Sequence, residues 1–309
     1  MTVLTNFPAI PNRIAIACEY LQDAGASGVS REQFDSQLSP WPPGNDEEER
    51  AGTSMAREVL RELEALGLVV DVPSGVGLAG DLPLTPMSYC DWMEWLIPWA
   101  TERLSDLGKA DLCRQSGVPL AFAWLLSQDS RRPIRSAGAH VELLQQQFGN
   151  VDALGFNMRN DQLFQNLIYW ARYLGYAETI GLRTSPNSGG PNSSANYVIP
   201  DPTRAIRRVL PQIFSATNEM QISTFVERLA DLLPVLEEGG ARFELERRFT
   251  GTLRRAEQHF SVATSLALTR LENEGILQLV SESDADRWVI GDWTDARYVT
   301  RLLWLGAHE

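Results

Sequence analysis

Three glycines in one short stretch match a motif that binds dinucleotides. Gly75, Gly77 and Gly80 have the GxGxxG spacing and follow the apolar run GLVVDV. In a dinucleotide site a helix opens directly after these glycines, and its N-terminus holds the pyrophosphate. Here Pro83 and Pro86 follow instead, and proline opposes a helix of useful length. We therefore expect the glycines to bend a β-hairpin, and a nucleotide-dependent enzyme stays open on this match alone.

The other residue types that perform catalysis do not form a recognisable arrangement. None of the three histidines is paired with a cysteine or another histidine at metal-ligand spacing. Asp91 and Glu94 could support acid–base chemistry, but beside several tryptophans they are typical of the solvent side of a helix. Cys18 falls on the apolar stripe of a predicted helix, where a thiol is inert. The sequence predicts a non-enzymatic protein with no cofactor and no metal.

Charge indicates which part of the chain could bind nucleic acid. The 309 residues carry a net charge of −13. Residues 1–80 and 216–309 are acidic, with net charges of −7 and −6, whereas residues 140–215 carry +1. Because phosphate contacts need clustered lysines and arginines, only the middle region is a candidate.

A predicted helix in this middle region has a polar face. Glutamine and asparagine can read adenine, and arginine reads guanine or contacts the phosphate backbone. The predicted nucleic-acid-binding residues lie on this face, beside it, and on the following segment. They are Arg159, Gln162, Gln165, Asn166, Tyr169, Arg172, Arg183, Arg204, Arg207 and Arg208. The alternative is an ordinary solvated helix face with surface arginines.

A repeated pattern organises the elements that must position these residues. The segments EVLRELEALGLVV, QNLIYWARYLGYAE and LALTRLENEGILQLV align on Gly67, Gly175 and Gly275. Apolar residues recur on one helical face before each glycine, which predicts an amphipathic helix. The glycine then ends the helix in a left-handed conformation, and a β-rich stretch follows. The sequence predicts three helix–glycine–hairpin units.

Each predicted unit has the second half of a winged helix, and shorter helices precede it. These are predicted at 12–24 and 30–38, at 139–148 and near Val151, and at 222–233 and 242–249, with caps at Asn12 and Ser30. The predicted wings are 68–78, 177–199 and 277–290. The expected fold class is mainly α, with α+β winged-helix modules: three tandem winged-helix domains with a helical bridge. The domains are 1–80, the bridge 81–136, 137–215 and 216–309.

Four tryptophans mark the predicted bridge. They are Trp92, Trp95, Trp99 and Trp124. An amphipathic pair of core helices explains them, and a partner-binding patch is the alternative, because exposed aromatic residues are enriched in interface hot spots.

The first and third modules are expected to face other proteins. In the third module the outward positions Val262, Leu266 and Thr269 suit a covered or partner-facing surface, and its predicted wing tip, SESDAD, would repel phosphate. The first module has a mixed face that consists of Ser54, Glu58 and Arg61. The arginine pairs at 247–248 and 254–255 alternate with glutamates, which predicts local ion pairs.

The opening NFPAIPNRIAIACEYLQ, the phrase ATSLALTRLENEGILQL and the closing ARYVTRLLWL carry a family resemblance. With the entry Pro11, Asn12 and Arg13 to the first helix, the chain resembles the DpdG family. These are accessory proteins of bacterial dpd clusters, which place deazapurine bases in DNA and restrict unmodified invaders. The resemblance implies a component of a multi-protein DNA-modification or anti-phage system, and it supplies no catalytic residues to carry over to this chain. The chain also looks like winged-helix adaptors of SMC-type complexes, which bind proteins and are often dimeric.

The function expected from the sequence is therefore a non-enzymatic subunit. It would dock on other proteins of a DNA-processing or defence complex, with double-stranded DNA contacted through the second module and a homodimer left open. The alternative is a free-standing, dimeric transcriptional regulator. A cytoplasmic location is expected, because no apolar run reaches the roughly 20 residues of a membrane span and the N-terminus lacks a secretory signal.

Overall fold

The computed structural model describes residues 2–6, 8–39, 55–80, 82–83, 85–135, 138–149, 158, 161–183, 194–249, 255–282, 286–291 and 296–306. The helices are α1 (Pro11–Asp23), α2 (Arg31–Leu38), α3 (Met55–Ala65), α4 (Tyr89–Ser105), α5 (Leu107–Leu112), α6 (Val118–Leu126), α7 (Ala139–Phe148), α8 (Asp161–Leu174), α9 (Thr203–Ile213), α10 (Ile222–Leu232), α11 (Gly240–Arg248) and α12 (Val262–Asn273). The strands are β1 (Val69–Val72), β2 (Gly75–Leu78), β3 (Ile134–Arg135), β4 (Ala177–Arg183), β5 (Ser194–Pro200), β6 (Glu219–Gln221), β7 (Leu277–Val280), β8 (Trp288–Ile290), β9 (Arg297–Val299) and β10 (Arg301–Trp304).

The predicted mainly α class is confirmed, because helices dominate and the sheets are small and antiparallel. Three of these sheets share one strand order. In β3-β5-β4 and β6-β10-β7, the first strand in the chain lies beside the last, and the second strand forms the far edge. The β1-β2 hairpin follows the same rule, because Val29 forms an isolated antiparallel bridge with Val76 of β2.

The three glycines that align the repeated pattern end helices as predicted. Gly67, Gly175 and Gly275 have φ values of 75°, 80° and 70°. In each case the residue after the glycine donates its N–H to a carbonyl five residues back, for example Tyr176 N to Ala171 O at 2.7 Å. This is the hydrogen bond of a Schellman motif, which satisfies carbonyl groups at the end of the helix.

Local signals place most helix ends correctly. Ser30 caps α2, because its Oγ accepts from Gln33 N at 3.1 Å and the Gln33 side chain bonds back to Ser30 N. The predicted cap at Asn12 is wrong: α1 already begins at Pro11. Proline suits the first helical position, since its missing N–H would have had no partner there. The segment predicted near Val151 lies outside the described residues.

The predicted third wing at 277–290 is wrong. β7 pairs with β10 in the register Leu279↔Leu302, whereas β8 pairs with β9 in the register Trp288↔Val299. The β8–β9 hairpin is therefore an insertion between the paired strands β7 and β10. The prediction paired strands that are neighbours in the sequence, whereas about 20 residues separate β7 from its partner β10.

Helix α6 lies at the centre of the molecule. All nine of its residues are buried, and it packs against α4, α5, α8 and α11. A helix that is apolar on every side belongs in a core. Trp92 of α4 and Trp124 of α6 are fully buried, which confirms their predicted core role. Trp95 and Trp99 are half-buried and pack against the same core.

An N-terminal strap, formed by residues 2–6 and 8–10, passes between several of these elements. Val3 N donates to Gln115 Oε1 at 2.8 Å, and Asn6 Nδ2 donates to Glu58 O at 2.7 Å. Gln115 Nε2 in turn donates to the buried Glu62 carboxylate at 2.8 Å. Buried polar groups require partners, and this network gives the strap one defined position.

Candidate nucleic-acid interface

Helix α8 buries one face and exposes another. Leu163, Phe164, Leu167 and Trp170 are among its buried residues. On the other side, Gln162, Tyr169 and Arg172 are exposed and Gln165 is half-buried. Intervals of three and four residues place these four side chains on one stripe of the helix. We call Gln162, Gln165, Tyr169 and Arg172 the α8 stripe.

Asn166 does not belong to the α8 stripe, and its predicted outward position is wrong. Its side chain is 3% exposed, and Nδ2 donates to Val3 O and Leu4 O at 3.3 and 3.2 Å. Trp170 Nε1 also donates to the strap, at Ala9 O. The strap covers this edge of α8. The Asn166 side chain therefore holds the backbone of the strap and is not exposed to solvent. The helical pattern alone could not reveal a contact across more than 160 residues.

Two of the predicted arginines hold the C-terminal end of α8. Arg204 Nη2 donates to Arg172 O at 2.8 Å, and Arg208 Nη1 donates to Leu174 O at 2.8 Å. Positive groups stabilise the last carbonyls of a helix through hydrogen bonds and the helix dipole. Arg204 also forms an ion pair with Glu178 at 2.9 Å. Both arginines therefore have structural partners at this helix end.

The remaining predicted residues divide into two groups. Arg207 of α9 is ion-paired with Glu274 at the end of α12. Arg159 and the side chain of Arg183 lie outside what the structure describes, although the Arg183 backbone pairs with Ser194 in the β4–β5 hairpin. Of the ten predicted residues, the structure thus brings Gln162, Gln165, Tyr169 and Arg172 together on one surface. Their binding to nucleic acid stays a prediction.

The sequence pattern did not predict a cleft that lies between α2 and α3. It has a volume of about 300 Å³ and is lined by Arg31, Arg57 and Arg61, among others. Each guanidinium has a carboxylate partner: Arg31 pairs with Glu64 and Asp71, Arg57 with Asp35, and Arg61 with Glu58. These pairs offset the positive charge that phosphate would need. Arg31 could not be found from the sequence, because the cleft forms only when α2 packs on α3.

The corresponding helix of the third unit, α12, faces a different kind of groove. Val262, Leu266 and Thr269 line one side of a groove of about 330 Å³, and Ile290 and Gly291 line the other. Gly291 N donates to Ser265 Oγ at 3.1 Å, so the β8–β9 hairpin is anchored on α12. Leu266 is exposed, whereas Val262 and Thr269 are half-buried.

The predicted ion pairs of the arginine-rich segments are confirmed where the structure describes them. Arg247 and Arg248 pair with Glu244, and Arg255 pairs with Glu238. Ser54, Arg254 and Asp284, which the sequence analysis also considered, lie outside the described residues.

The groups first considered for chemistry occupy structural positions. Gly75 and Gly77 lie in β2 of the β1–β2 hairpin, as predicted, and Gly80 follows that strand. A Cβ at Gly75 would lie 2.1 Å from Val29 O. Cys18 is buried as expected, and burial raises the pKa of its thiol well above the ordinary value. Asp91 and Glu94 are exposed, and Asp91 closes the capping box of α4.

Among the described helices, none is long and apolar enough to cross a membrane.

Comparison with known proteins gives one match. A family model described as DpdG-like matches residues 1–285. No curated protein and no solved structure matches the chain. The family match covers most of the sequence, from the strap through α12 to the β7 strand. The chain therefore belongs to the DpdG-like family.

Proposed function

We propose that this chain is a non-enzymatic subunit of a bacterial DNA-modification or anti-phage defence complex, built from three winged-helix modules. Its main role would be to dock on other proteins, with DNA contacted through the second module. Membership of the DpdG-like family supports the setting, because that family is associated with dpd clusters. The net charge of −13 favours binding to proteins over nonspecific binding along DNA.

The shared strand order is the observation that supports three winged-helix modules. The first and second modules would have the order helix, short strand or bridge, helix, reading helix and hairpin, which is a winged helix-turn-helix order. The third would have the same order with α11 added before its reading helix. The first module would use α1 and α3, the second α6 and α8, and the third α9 and α12 as first and reading helices. In each case the first helix packs against the reading helix. On this proposal α6 joins the second module, and α9 moves from the second to the third.

The α8 stripe is the observation that supports DNA contact. It is polar, it carries an arginine, and it lies on the helix that occupies the reading position of the second module. Glutamine and arginine side chains on such a helix can reach base edges and phosphates in a major groove. The arginines of the first module are ion-paired, which leaves less charge for phosphate. The same holds for Arg131 and Arg297, which line the mainly apolar groove on α12.

The α12 groove supports protein docking by the third module. Its exposed Leu266 and half-buried Val262 present apolar surface where a DNA-reading helix would present polar groups. Apolar anchors in a groove are typical of sites that bind a partner helix or extended segment.

A mobility-shift assay with duplex DNA tests the second-module contact. Arg172→Glu replaces an attractive charge by a repulsive one, so we expect at least an about tenfold loss of affinity. Arg247→Glu is the matched control, because Arg247 is an exposed arginine on α11 and should leave binding unchanged. Binding that is equally strong in the Arg172→Glu protein would rule out α8 as the reading helix.

Co-purification with the other proteins of a dpd cluster tests the docking role. Leu266→Arg should abolish recovery of one of these proteins, whereas Phe243→Arg, at an exposed apolar position on α11, should not. The alternative function is a dimeric transcriptional regulator. It predicts high-affinity, sequence-specific DNA binding by the isolated chain and no loss of function in Leu266→Arg.

A further inference from the structure

A cavity of about 490 Å³ lies between α4, α5, α9 and the end of α10. This volume is within the range of about 300–1,000 Å³ that is typical of small-molecule sites. Its accessible apolar part includes the half-buried residues Ile97, Val209 and Leu232. These side chains provide a surface for a hydrocarbon or aromatic body. Nothing in the proposed function uses this cavity.

Arg208 supplies the cavity with a positive group. Within the described part of the chain, its single hydrogen bond goes to Leu174 O, and no carboxylate lies at ion-pair distance. A guanidinium has five N–H donors, so most of them are left for another partner. Arg208 is an exposed residue, and partial burial of its guanidinium together with the neighbouring Arg204 lowers its pKa. An anion in the cavity would satisfy both the donors and the charge.

The acidic residues of the cavity wall are engaged or exposed. Glu102 pairs with Lys109 at 2.7 Å, and Asp106 accepts from Lys109 N at 2.9 Å as the cap of α5. Asp231 is exposed to solvent, where salt screens its repulsion of an anion. The cavity thus combines an apolar floor, an available guanidinium and charges that are largely compensated or screened.

We infer that this cavity binds a small organic anion, with its oxyanion head group on Arg208 and its apolar body against Ile97, Val209 and Leu232. Hydrogen bonds to a charged group are worth more than neutral ones, so Arg208 should dominate the affinity. Asp231 should weaken it slightly through residual repulsion.

Fluorescence titration with 8-anilinonaphthalene-1-sulfonate tests the inference, because this probe combines a sulfonate with an aromatic body. Arg208→Gln should weaken binding by about tenfold or more. Ile97→Trp, which fills the cavity and leaves the bond from Arg208 to Leu174 in place, should weaken it similarly. Asp231→Asn should strengthen binding. Arg228→Gln is the matched control, because Arg228 also donates to a helix-end carbonyl, Ile213 O, but does not line the cavity.

Competition separates the charge from the shape of the ligand. Benzoate should displace the probe from the wild-type protein, whereas benzamidinium, of nearly the same size and opposite charge, should not. If the probe does not bind, binds equally to wild type and Ile97→Trp, or is displaced better by benzamidinium, the inference is wrong. If Arg208→Gln does not fold, Ile97→Trp and the competition pair still decide the question.

Discussion

Asn166 shows how a polar residue on a candidate reading helix can have an entirely internal role. Its amide joins α8 to the strap through two backbone carbonyls, and it is buried. The neighbouring Gln165 differs by one position and stays half-exposed on the α8 stripe. A rotation of 100° around the helix thus separates a packing residue from a residue available for DNA.

Asn166→Ala should lower the free energy of unfolding by about 1–3 kcal/mol, because it leaves two buried carbonyl groups without their donor. Gln165→Ala should change it by less than about 0.5 kcal/mol. Urea denaturation of both variants measures the difference. If Asn166→Ala keeps full stability and loses DNA affinity, then Asn166 contacts bases and the strap contact is dispensable.

Glu237 is a buried carboxylate that organises the start of α12. Its oxygens accept from Ser261 N at 2.8 Å and from Thr264 Oγ1 at 2.7 Å. Burial alone would raise the pKa of Glu237, but Arg242, the two hydrogen bonds and Arg255 together hold it below the ordinary value. The ionised form therefore stabilises the fold.

Glu237→Gln should lower the free energy of unfolding at pH 7 by about 1.5–3 kcal/mol, because the hydrogen bonds from Ser261 and Thr264 lose their charged acceptor. Arg242 keeps its ion pair with Glu246 but loses the attraction of a second buried carboxylate. The folded-state pKa is below the unfolded one, so this stabilisation is complete above about pH 4.5 and declines as the pH falls towards the folded value. Urea denaturation at pH 7 and pH 3.5 should show a smaller gap at the lower pH. The control variant Glu227→Gln, at an exposed position of α10, should show little effect at either pH. A gap that does not narrow would contradict the assignment.

At the scale of elements, the three Schellman helix ends are the features that the sequence predicted best. Each depends on a glycine, an apolar stripe and a β-rich run within about 20 residues, so all the information is local. The predicted strand pairing of the third unit was wrong for the opposite reason. β10 pairs with β7 across the β8–β9 insertion, and no local pattern distinguishes β10 from β8 as a partner.

Substitutions at Gly175 and Gly67 separate the free-energy cost of the backbone conformation from the cost of the close approach of α9. Both have positive φ, but a Cβ at Gly175 would lie 2.9 Å from Arg204 Cβ, whereas nothing lies within 4 Å at Gly67. Gly67→Ala should cost about 1–2 kcal/mol through backbone conformation alone. Gly175→Ala should cost about 1–3 kcal/mol more, because α9 must move away. Equal losses in the free energy of unfolding, measured by thermal or urea denaturation, would show that α9 moves away from the added methyl group at no cost.

At the scale of the whole molecule, the contacts of α6 were the least predictable from the sequence. It is apolar all round, so it has no periodicity to say which neighbours it faces, and the pattern assigned it to a bridge. In the structure it packs against helices from both the middle and the C-terminal parts of the chain. The α8 stripe was partly predictable, since helical spacing identified it. The strap that covers Asn166 was not, because its contacts depend on tertiary packing.

The buried residues form one continuous core that runs through α6. We therefore expect a single cooperative unfolding transition, with far-UV circular dichroism and tryptophan fluorescence changing at the same urea concentration. Phe122→Ala, at a fully buried position of α6, should move both midpoints together, with a loss of about 3–5 kcal/mol. Separate transitions for the two signals would mean that the parts of the chain fold independently.

The strap also sets an order of events during synthesis. Its residues leave the ribosome before the side chains that fix it, because Gln115 and Asn166 follow more than 100 and 160 residues later. Nascent chains generally begin to fold from the N-terminal end. Here Val3 and Leu4 stay uncovered until α8 has also emerged. A nascent chain arrested before α8 would therefore present this apolar segment to chaperones, and one arrested after α8 would not.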